Sequence, residues 1–438
     1  MQVPIPIISW KKSILLGILI RFLFSFWTGN PSDFEIFIRL GYYVAHGVNP
    51  NEAKLFYVEG LGQPTYPYVS GIGYPPAWGL CTALAYNIYQ LLPFSPFFYY
   101  VLLKIFPIFG DLATTYIIFL LIKRNTLDIR RAEETSMIFF MCPFVIFISS
   151  IWGMFDSISI FLTLLSILLL LSDKPYWSAF ALGLGIYFKI IPIIYLPIQL
   201  IFIGKDKGAK VSIKYLLICS GTPIALTLIP TISFGWKVSE IGITVLSQTI
   251  KMGEGITYWN LFSLLRELYP NIFTEELLNA FFSFPPIRYL WILGLIACYI
   301  SYFKYIKQTS KNLDKDNFFI ISKWYSITMI SFLLTWTFIS EQLVLYIIST
   351  MTLMLGILYN NSFKRYYFYI WVLTLAFSLV NLYPFAFAYL LDIKFWNIFN
   401  YLAYVKPFST LRFTARFILA IFFNYYMFRS LEHMVKKE

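Results

Sequence analysis

Charged residues are scarce in this chain. Asp, Glu, Lys and Arg make up 13% of the 438 residues, whereas 59% are hydrophobic and the mean hydropathy is +0.69. Soluble domains carry roughly 25% charged residues, so this chain has too little charge to cover the surface of soluble globules. Disorder is excluded as well, because disordered segments are poor in hydrophobic residues. The composition therefore predicts a polytopic membrane protein.

Metal-binding residue types are also few. There are two histidines and four cysteines, and each cysteine stands alone in an apolar run. These residues are His46, His433, Cys81, Cys142, Cys219 and Cys298. Zinc and haem sites need closely spaced cysteines or histidines, and no such spacing occurs here. We expect neither a zinc or haem site nor a disulfide.

The net charge is +12, with 34 basic and 22 acidic residues. The basic residues cluster between apolar runs, at Lys11–Lys12, Lys123–Arg131, Lys205–Lys214, Lys304–Lys315, Lys364–Arg365 and Arg429–Lys437. This pattern is typical of cytoplasmic loops, and no basic arm interleaved with aromatic residues suggests nucleic acid. We predict a signal anchor after Lys12 and two cytoplasmic termini.

Apolar runs of about 20 residues mark candidate spans. They lie at about 13–28, 76–92, 98–122, 135–151, 154–172, 176–203, 211–234, 287–305, 317–339, 342–359, 366–391 and 411–428. The run 176–203 is interrupted by Gly and Pro, so it is either one kinked span or two short helices that form a hairpin about Lys189. The fold class is an all-α polytopic membrane protein of about 11–13 transmembrane helices.

Three longer segments separate the spans. Residues 29–75 hold a short amphipathic stretch, Phe34–Val44; residues 235–286 hold a predicted interfacial helix around Tyr258–Leu268; and residues 392–410 form a third, smaller loop. The positive-inside rule places the first loop on the non-cytoplasmic side. One conflict arises. Two full crossings between residues 76 and 122 would put the basic segment 123–131 on the non-cytoplasmic side, together with the loop 29–75. Either one of these two runs is re-entrant, or the basic segment is an exception to the rule.

Ionisable residues at the membrane are expensive and often functional. Asp33 and Glu35 follow the first span as D-x-E, where an extended or turn conformation lets both carboxylates reach one ligand; the alternative is a solvated turn with helix capping by Ser32 or Asp33. Asp156 lies between two apolar runs and is either functional or a helix N-cap. Glu341 lies at another junction of two spans.

Further charges lie inside apolar runs. A carboxylate at Asp111 needs a cationic partner such as Arg21 or Lys104, and a structural ion pair is the simpler explanation for it. Lys189 stands beside a helix break, where its ammonium group can hold a lipid-linked phosphate; the alternative is a side chain that snorkels to the interface.

Six stretches make the chain resemble membrane glycosyltransferases of the GT-C superfamily that use polyprenyl-phosphate sugars, and most of all the family of GPI mannosyltransferase 1. They are Leu19–Arg21 with Ser32–Phe37 and Gly47–Pro50; Tyr74–Pro76; Lys104–Asp111; Cys142–Ser157; Lys189–Pro192; and Phe338–Gln342, where Ser340 replaces the His of the family. The likeness is concentrated in residues 13–203.

The resemblance implies an inverting transfer of a hexose, mannose in the family, to a lipid-linked or glycan acceptor. Asp33 is then the general base, with Glu35 and Asp156 as further catalytic residues. Lys189, Arg21 and Glu341 would bind substrate. The polyprenyl-phosphate sugar is the donor substrate and no cofactor is expected, although a divalent metal stays open. The partners are the donor, the acceptor and the lipid bilayer. The resemblance places the protein in the cell membrane of a prokaryote or in the endoplasmic reticulum membrane of a eukaryote. The active site would face the non-cytoplasmic side.

Other functions are compatible with many spans and buried charges. A lipid or glycolipid transporter or flippase predicts two repeated halves, and we find no repeat. A non-catalytic subunit of a glycolipid-processing complex is the third alternative, against which the D-x-E pair argues. We treat residues 1–438 as one membrane domain, with a catalytic module at about 13–234 and a C-terminal helical module at about 235–438.

Overall fold

The computed structural model describes residues 10–52, 55–62, 65, 68–69, 71–92, 94–239, 255–308, 317–358 and 360–436. Almost all regular structure in these residues is helical, apart from the two-residue strands Leu55–Phe56 and Tyr68–Val69, which pair antiparallel. The prediction of an all-α polytopic membrane fold is confirmed.

The first half of the chain forms helices at Trp10–Ser25, Asp33–Ala45, Ala77–Leu91, Pro96–Thr126, Ile129–Phe140, Pro143–Ile146, Asp156–Leu171, Pro175–Phe188, Leu196–Asp206 and Ala209–Phe234. A π-helical stretch covers Phe147–Trp152, and a 3-10 helix covers Ile191–Tyr195. The helices Asp156–Leu171, Pro175–Phe188 and Ala209–Phe234 pack side by side.

The second half forms helices at Leu261–Leu268, Glu275–Ser283, Pro285–Arg288, Leu290–Gln308, Asn317–Thr335, Val344–Leu358, Asn361–Asn381, Lys394–Tyr404 and Phe408–Lys436. Short 3-10 helices lie at Tyr258–Asn260, Glu341–Leu343 and Pro384–Ala388. The last helix, Phe408–Lys436, packs along Asn361–Asn381 and also contacts Asn317–Thr335, so it joins these two helices in one bundle.

Fewer helices satisfy a strict length and hydropathy criterion than the apolar runs predict. Among the described residues, five helices are long and apolar enough to cross a membrane, or six if the pair Ile129–Phe140 and Pro143–Trp152, bent by 48°, is counted as one span. The difference arises because several predicted spans form helices of only 14 to 16 residues, such as Asp156–Leu171 and Pro175–Phe188.

The run 176–203 forms the predicted hairpin. Its first helix ends at Phe188, and Lys189 takes an extended conformation with φ −153° and ψ 132°. The chain then turns through the 3-10 segment Ile191–Tyr195, in which Pro192 supplies no N–H for a regular helix. Lys189 therefore lies at the tip of a helical hairpin.

The basic loops come together at one end of the bundle, which we call the basic end. Contacts between loops define it: Arg124 with Ser172, Lys207 with Asp173, Arg131 with the carbonyl of Ile357, and Lys205 with the carbonyl of Ile306. Loops that are far apart in the sequence thus share one side, as the positive-inside pattern predicts.

The helix Ala77–Leu91 resolves the conflict over the basic segment 123–131. It starts directly from the 29–75 loop, and the residues that follow it, Tyr99 and Tyr100, donate hydrogen bonds to carbonyls of the same loop. Both ends of this helix therefore lie against one loop, so it does not cross the bundle. The next helix, Pro96–Thr126, then runs to the basic end in a single traverse.

The predicted amphipathic segments are helical. Phe34–Val44 lies within the helix Asp33–Ala45, and Tyr258–Leu268 is a 3-10 turn followed by a short helix. The smaller loop contains the helix Lys394–Tyr404. These segments gather at the end of the bundle opposite the basic end, where they surround a cavity.

Candidate active site

A cavity of about 650 Å³ opens at the end opposite the basic end. Its polar wall includes Asp33, Lys189 and Glu341, three residues that the sequence analysis singled out from distant segments. Its other walls are aromatic and aliphatic, with Trp291, Trp336, Phe338, Trp396, Phe399 and Ile194 among the lining side chains. A pocket with a few polar groups in an apolar lining is typical of ligand sites.

Asp33 is the first residue of the helix Asp33–Ala45 and is partly buried. Its Oδ2 accepts a hydrogen bond of 2.9 Å from the indole N–H of Trp152. The helix is capped by Asn30, whose Oδ1 accepts the backbone N–H groups of Ser32 and Asp33, rather than by the side chain of Ser32. The positive end of the helix dipole stabilises an ionised carboxylate here.

A backbone contact joins the two segments that hold Asp33. The N–H of Asn30 donates to the carbonyl of Trp152 at 3.0 Å. Trp152 ends the π-helical stretch, and Gly153 follows with φ +87°. A Cβ at Gly153 would lie 2.5 Å from the ring of Phe34, so a larger residue would push this segment away from Asp33.

Lys189 and Asp156 form a buried ion pair beside Asp33. The Lys189 Nζ lies 2.5 Å from Asp156 Oδ1, and the residues are 3% and 0% exposed. The ammonium group also lies 5.1 Å from the ring centre of Tyr74 and 5.7 Å from that of Phe155. Asp156 begins its helix, as the capping alternative predicts, but its carboxylate is committed to Lys189. The snorkelling alternative for Lys189 is not what the structure shows.

Tyr74 connects the carboxylates to the opposite wall. Burial, and then the charges of Asp33 and Asp156, raise the pKa of Tyr74 well above its usual value. Its hydroxyl accepts a hydrogen bond of 3.3 Å from Gln342, the neighbour of Glu341. The phenol is therefore neutral at physiological pH and links the 29–75 loop to the 3-10 turn Glu341–Leu343.

Glu341 lies on the far wall of the cavity and is buried. Its Oε1 accepts a hydrogen bond of 2.9 Å from the side-chain amide of Asn381. The Oδ1 of the Asn381 amide accepts a hydrogen bond of 3.4 Å from Arg412 Nη2. The predicted substrate-binding carboxylate is thus connected through Asn381 to a guanidinium group that the sequence analysis did not single out.

Glu35 does not share the site with Asp33. Because Asp33 begins a helix, the D-x-E spacing turns Glu35 roughly 200° around the helix axis, and the two carboxylates do not point at one ligand. Glu35 is buried and pairs with Arg39 at 2.6 Å, while Arg39 also donates to the carbonyl of Leu55. Burial raises the pKa of Glu35, and Arg39 opposes that rise. The expectation of a shared ligand for the D-x-E pair is wrong.

Arg21 is likewise outside the cavity lining. Its Nε donates to Asp111 Oδ2 at 2.9 Å, its Nη2 donates to the carbonyl of Phe140, and its side chain has no exposure. Asp111 also accepts a hydrogen bond from Ser157, next to Asp156. The structural ion pair is therefore the explanation that fits Arg21 and Asp111, and a phosphate does not reach this guanidinium.

Lys104 stabilises the two segments that hold Asp33. Its fully buried ammonium group donates to the carbonyls of Thr28 and Ser150, so it ties the end of the first helix to the π-helical stretch. These two segments carry Asn30 and Trp152, the residues that hold Asp33. From the sequence, Lys104 was predicted only as a possible partner for Asp111, because backbone carbonyl partners have no sequence signature.

The arrangement can support a displacement at a lipid-linked sugar. Asp33 offers an oriented carboxylate on a partly exposed helix end, where a general base can reach a hydroxyl. Lys189 offers a cationic wall beside it, and the aromatic walls can bury sugar faces and apolar chain. The cavity lies next to the helices Asp33–Ala45 and Lys394–Tyr404.

Comparisons with known proteins match part of this chain. Residues 148–244 match the family described as Mannosyltransferase (PIG-M), a region that contains Trp152, Asp156 and Lys189 but not Asp33. GPI mannosyltransferase 1 of Candida albicans is 32% identical over 143 residues, which cover 29% of this chain and 35% of that protein. The match thus spans about a third of the curated relative.

Among solved structures, an Archaeoglobus fulgidus oligosaccharyltransferase tethered with an acceptor peptide aligns over 97% of this chain and 55% of that chain. The TM-score is 0.39 and the sequence identity is 13%. The motifs in the first half of the sequence predict a likeness to GPI mannosyltransferases, and the family and curated matches confirm it. Within the matched region, this membrane chain is similar to the mannosyltransferases of the PIG-M family, which are glycosyltransferases.

Proposed function

We propose that this protein is a membrane glycosyltransferase that transfers a hexose, mannose by its resemblance, from a polyprenyl-phosphate sugar to a lipid-linked or glycan acceptor. The observation that carries the proposal is the cavity in which Asp33, held by Trp152, lies beside the Lys189–Asp156 pair. The family match over residues 148–244 supports the sugar and the reaction type.

In the proposed reaction, the acceptor hydroxyl attacks the anomeric carbon of the donor while Asp33 takes the hydroxyl proton. The bond between the anomeric carbon and the phosphate oxygen breaks, and the polyprenyl phosphate leaves with the electron pair. Attack from the face opposite the phosphate inverts the anomeric configuration. The phosphate is already a good leaving group, so the reaction needs no general acid.

Lys189 supplies positive charge for the donor phosphate in this scheme. Its ion pair with Asp156 fixes the ammonium group at the hairpin tip and leaves it part of the cavity wall. Asp156 acts through Lys189 as a positioning residue, because its Oδ1 is directly paired. Glu341, on the opposite wall, is placed to accept hydroxyl hydrogen bonds from a sugar or an acceptor.

The reaction scheme assigns no step to a metal. The carboxylates of Asp33 and Glu35 diverge, and that of Asp156 is paired with Lys189. Addition of a chelator should therefore leave the transfer rate unchanged. A loss of activity that Mn²⁺ or Mg²⁺ restores would overturn this part of the proposal.

We also propose that the cavity faces the non-cytoplasmic side and that both termini are cytoplasmic. The basic end supports this orientation. In a background without native cysteines, Glu59→Cys and Lys436→Cys, both at exposed positions, should label from opposite sides of sealed vesicles. Labelling from the same side would contradict the orientation.

The test of the function uses the purified protein in lipid nanodiscs with polyprenyl-phosphate mannose and polyprenyl-phosphate glucose, each carrying a labelled sugar. Membrane lipid and glycan extracts serve as acceptors. We expect labelled product from the mannose donor that Asp33→Asn abolishes. If neither donor yields product while both bind, the proposal of a transferase fails.

A further inference from the structure

The cavity contains a second cationic group that the reaction scheme does not use. Arg412 and Arg416 lie one turn apart near the start of the last helix, Phe408–Lys436, and both line the cavity. Arg416 is 7% exposed. Residues four apart share one helix face, so both side chains approach the cavity from the same wall.

Arg412 is held in place by neutral oxygens. Its Nε and Nη2 donate to the backbone carbonyl and side-chain oxygen of Asn381 at 3.1 and 3.4 Å, and its Nη1 donates to the carbonyl of Ala403 at 3.3 Å. These contacts orient the guanidinium group without placing a carboxylate against it. Glu341 reaches this group through the amide of Asn381.

Aromatic rings support the neighbouring guanidinium. The Arg416 carbon Cζ lies 5.5 Å from the ring centre of Phe377 and 5.2 Å from that of Phe413. Arg412 is 5.5 Å from the ring centre of Phe399. Such cation–π contacts stabilise the charged groups. The planar guanidinium group of an arginine matches two oxygens of a phosphate in geometry.

Charge is distributed unevenly across the cavity. On one wall, the carboxylate of Asp33 is matched by the ammonium group of Lys189, whose partner Asp156 lies outside the lining residues. On the other wall, Arg412 and Arg416 outnumber Glu341 by one among the lining residues, and Glu267 lies beside the start of the same helix, where it accepts hydrogen bonds from Ser409 and Thr410. An anionic ligand is therefore favoured where the two guanidinium groups line the cavity.

A lipid fits this wall better than a free anion. The helix Lys394–Tyr404 contributes Trp396 and Phe399 to the cavity lining and exposes Ile398, Tyr401 and Tyr404 on its outer face. An amphipathic helix of this kind lies in the headgroup plane of a membrane. A phosphate at the arginines would thus be at headgroup depth, with its apolar chain in the bilayer.

We propose that Arg412 and Arg416 form a binding site for the phosphate of a lipid substrate. The inference rests on the proposed function, which supplies two lipid sources of this chemistry. One is the phosphodiester that joins the polyprenyl chain to the sugar of the donor, and the other is a phosphodiester in the headgroup of a lipid acceptor. The site is separate from the Lys189–Asp156 pair, so the two walls can hold one phosphate each.

The test measures lipid binding directly rather than sugar transfer. Labelled polyprenyl phosphate and labelled phosphatidylinositol are titrated separately onto the purified protein in detergent micelles, with Arg412→Gln, Arg416→Gln and Arg429→Gln compared with the native chain. Arg429 is a matched control, because it lies on the same helix but is exposed and pairs with Glu432 near the basic end. Arg416→Gln is the main variant, since Arg412 also holds the ends of two helices.

We expect Arg416→Gln to raise the Kd of one of the two lipids by tenfold or more, as loss of a charge-assisted contact predicts, whereas Arg429→Gln leaves both unchanged. Weaker polyprenyl phosphate binding identifies the donor as the source, and weaker phosphatidylinositol binding identifies the acceptor. Unchanged binding of both lipids in a folded Arg416→Gln protein overturns the inference. Because no sugar is transferred, this result is independent of the proposed transferase activity.

Discussion

Replacing Asp33 with Asn removes the proposed base with little change to the fold around it. The backbone hydrogen bond from residue 33 to Asn30 is unaffected by the side chain. An amide oxygen can still accept the indole N–H of Trp152, which the carboxylate accepts at 2.9 Å. The interaction of a negative charge with the helix N-terminus is lost, which typically costs about 0.3–1 kcal/mol.

The kinetic effect should be much larger than this stability effect. Loss of a positioned general base typically lowers the rate about 10²- to 10⁴-fold, equivalent to roughly 3–5 kcal/mol at about 1.4 kcal/mol per factor of ten. We expect that loss in kcat, with KM for the donor changed little, because Asp33 contacts the acceptor hydroxyl rather than the phosphate.

The assay follows labelled sugar from the polyprenyl-phosphate donor into product in nanodiscs, alongside a thermal unfolding curve. Asp128→Asn is the matched control, because Asp128 also lies at a helix N-terminus, where it accepts the backbone N–H of Arg131, but is exposed at the basic end. It should retain full activity. If Asp33→Asn transfers sugar at a near-normal rate, the base lies elsewhere and the assignment is wrong.

Three further substitutions separate the roles of the neighbouring residues. Trp152→Phe removes the N–H that orients Asp33, so we expect kcat to fall about tenfold with unchanged donor KM, measured by initial rates. Lys189→Ala should raise donor KM and also lower the free energy of unfolding by about 3–5 kcal/mol, because it leaves Asp156 buried and unpaired; a variant that keeps normal donor KM would remove Lys189 from the phosphate site. Lys189→Arg should recover part of the KM loss, since a guanidinium places its charge differently. Glu35→Gln should lower the free energy of unfolding, because the ion pair with Arg39 is lost, while kcat per folded protein stays within threefold of the native value. A loss of kcat without a loss of stability would instead show that Glu35 is a catalytic residue.

The sequence predicted those parts of the molecule that depend on local composition. The Gly and Pro residues of the run 176–203 predict either a kinked span or a hairpin at Lys189, and the structure contains the hairpin. The amphipathic helix after Ser32 follows from the spacing of its apolar residues. Opposite charges in apolar runs need partners, which left Arg21 or Lys104 for Asp111, and the structure contains the pair with Arg21. In each case the deciding interaction is local, or it is the ion pair that a buried charge needs to lower the free-energy cost of its burial.

The relation between Asp33 and Glu35 depended on a helix boundary. Read as an extended segment, D-x-E directs both side chains toward one ligand, whereas a helix that begins at Asp33 separates them. The cap that sets this boundary is Asn30, three residues upstream, and Trp152, whose indole N–H binds the Asp33 carboxylate, comes from a distant segment. Such long-range contacts have no signature in a single sequence.

Arg412 and Arg416 were missed for a different reason. They lie near the start of the last apolar run. The chain has many other basic residues, and the positive net charge of the whole chain was enough to account for these two. Their spacing of four residues would have placed them on one face of a helix. Only the packing of that helix against the cavity shows that this face meets Glu341 and Asn381.

In the proposed reaction, this cavity inverts the configuration of a polyprenyl-phosphate-linked sugar by direct displacement. The anomeric configuration of the product tests this, determined by NMR on labelled sugar that the native protein transfers from a donor of known anomer. We expect a product of the opposite anomeric configuration, formed in a single step without a covalent sugar–protein intermediate. A product with retained configuration would contradict it, because Asp33 would then have to act as a nucleophile rather than as a base.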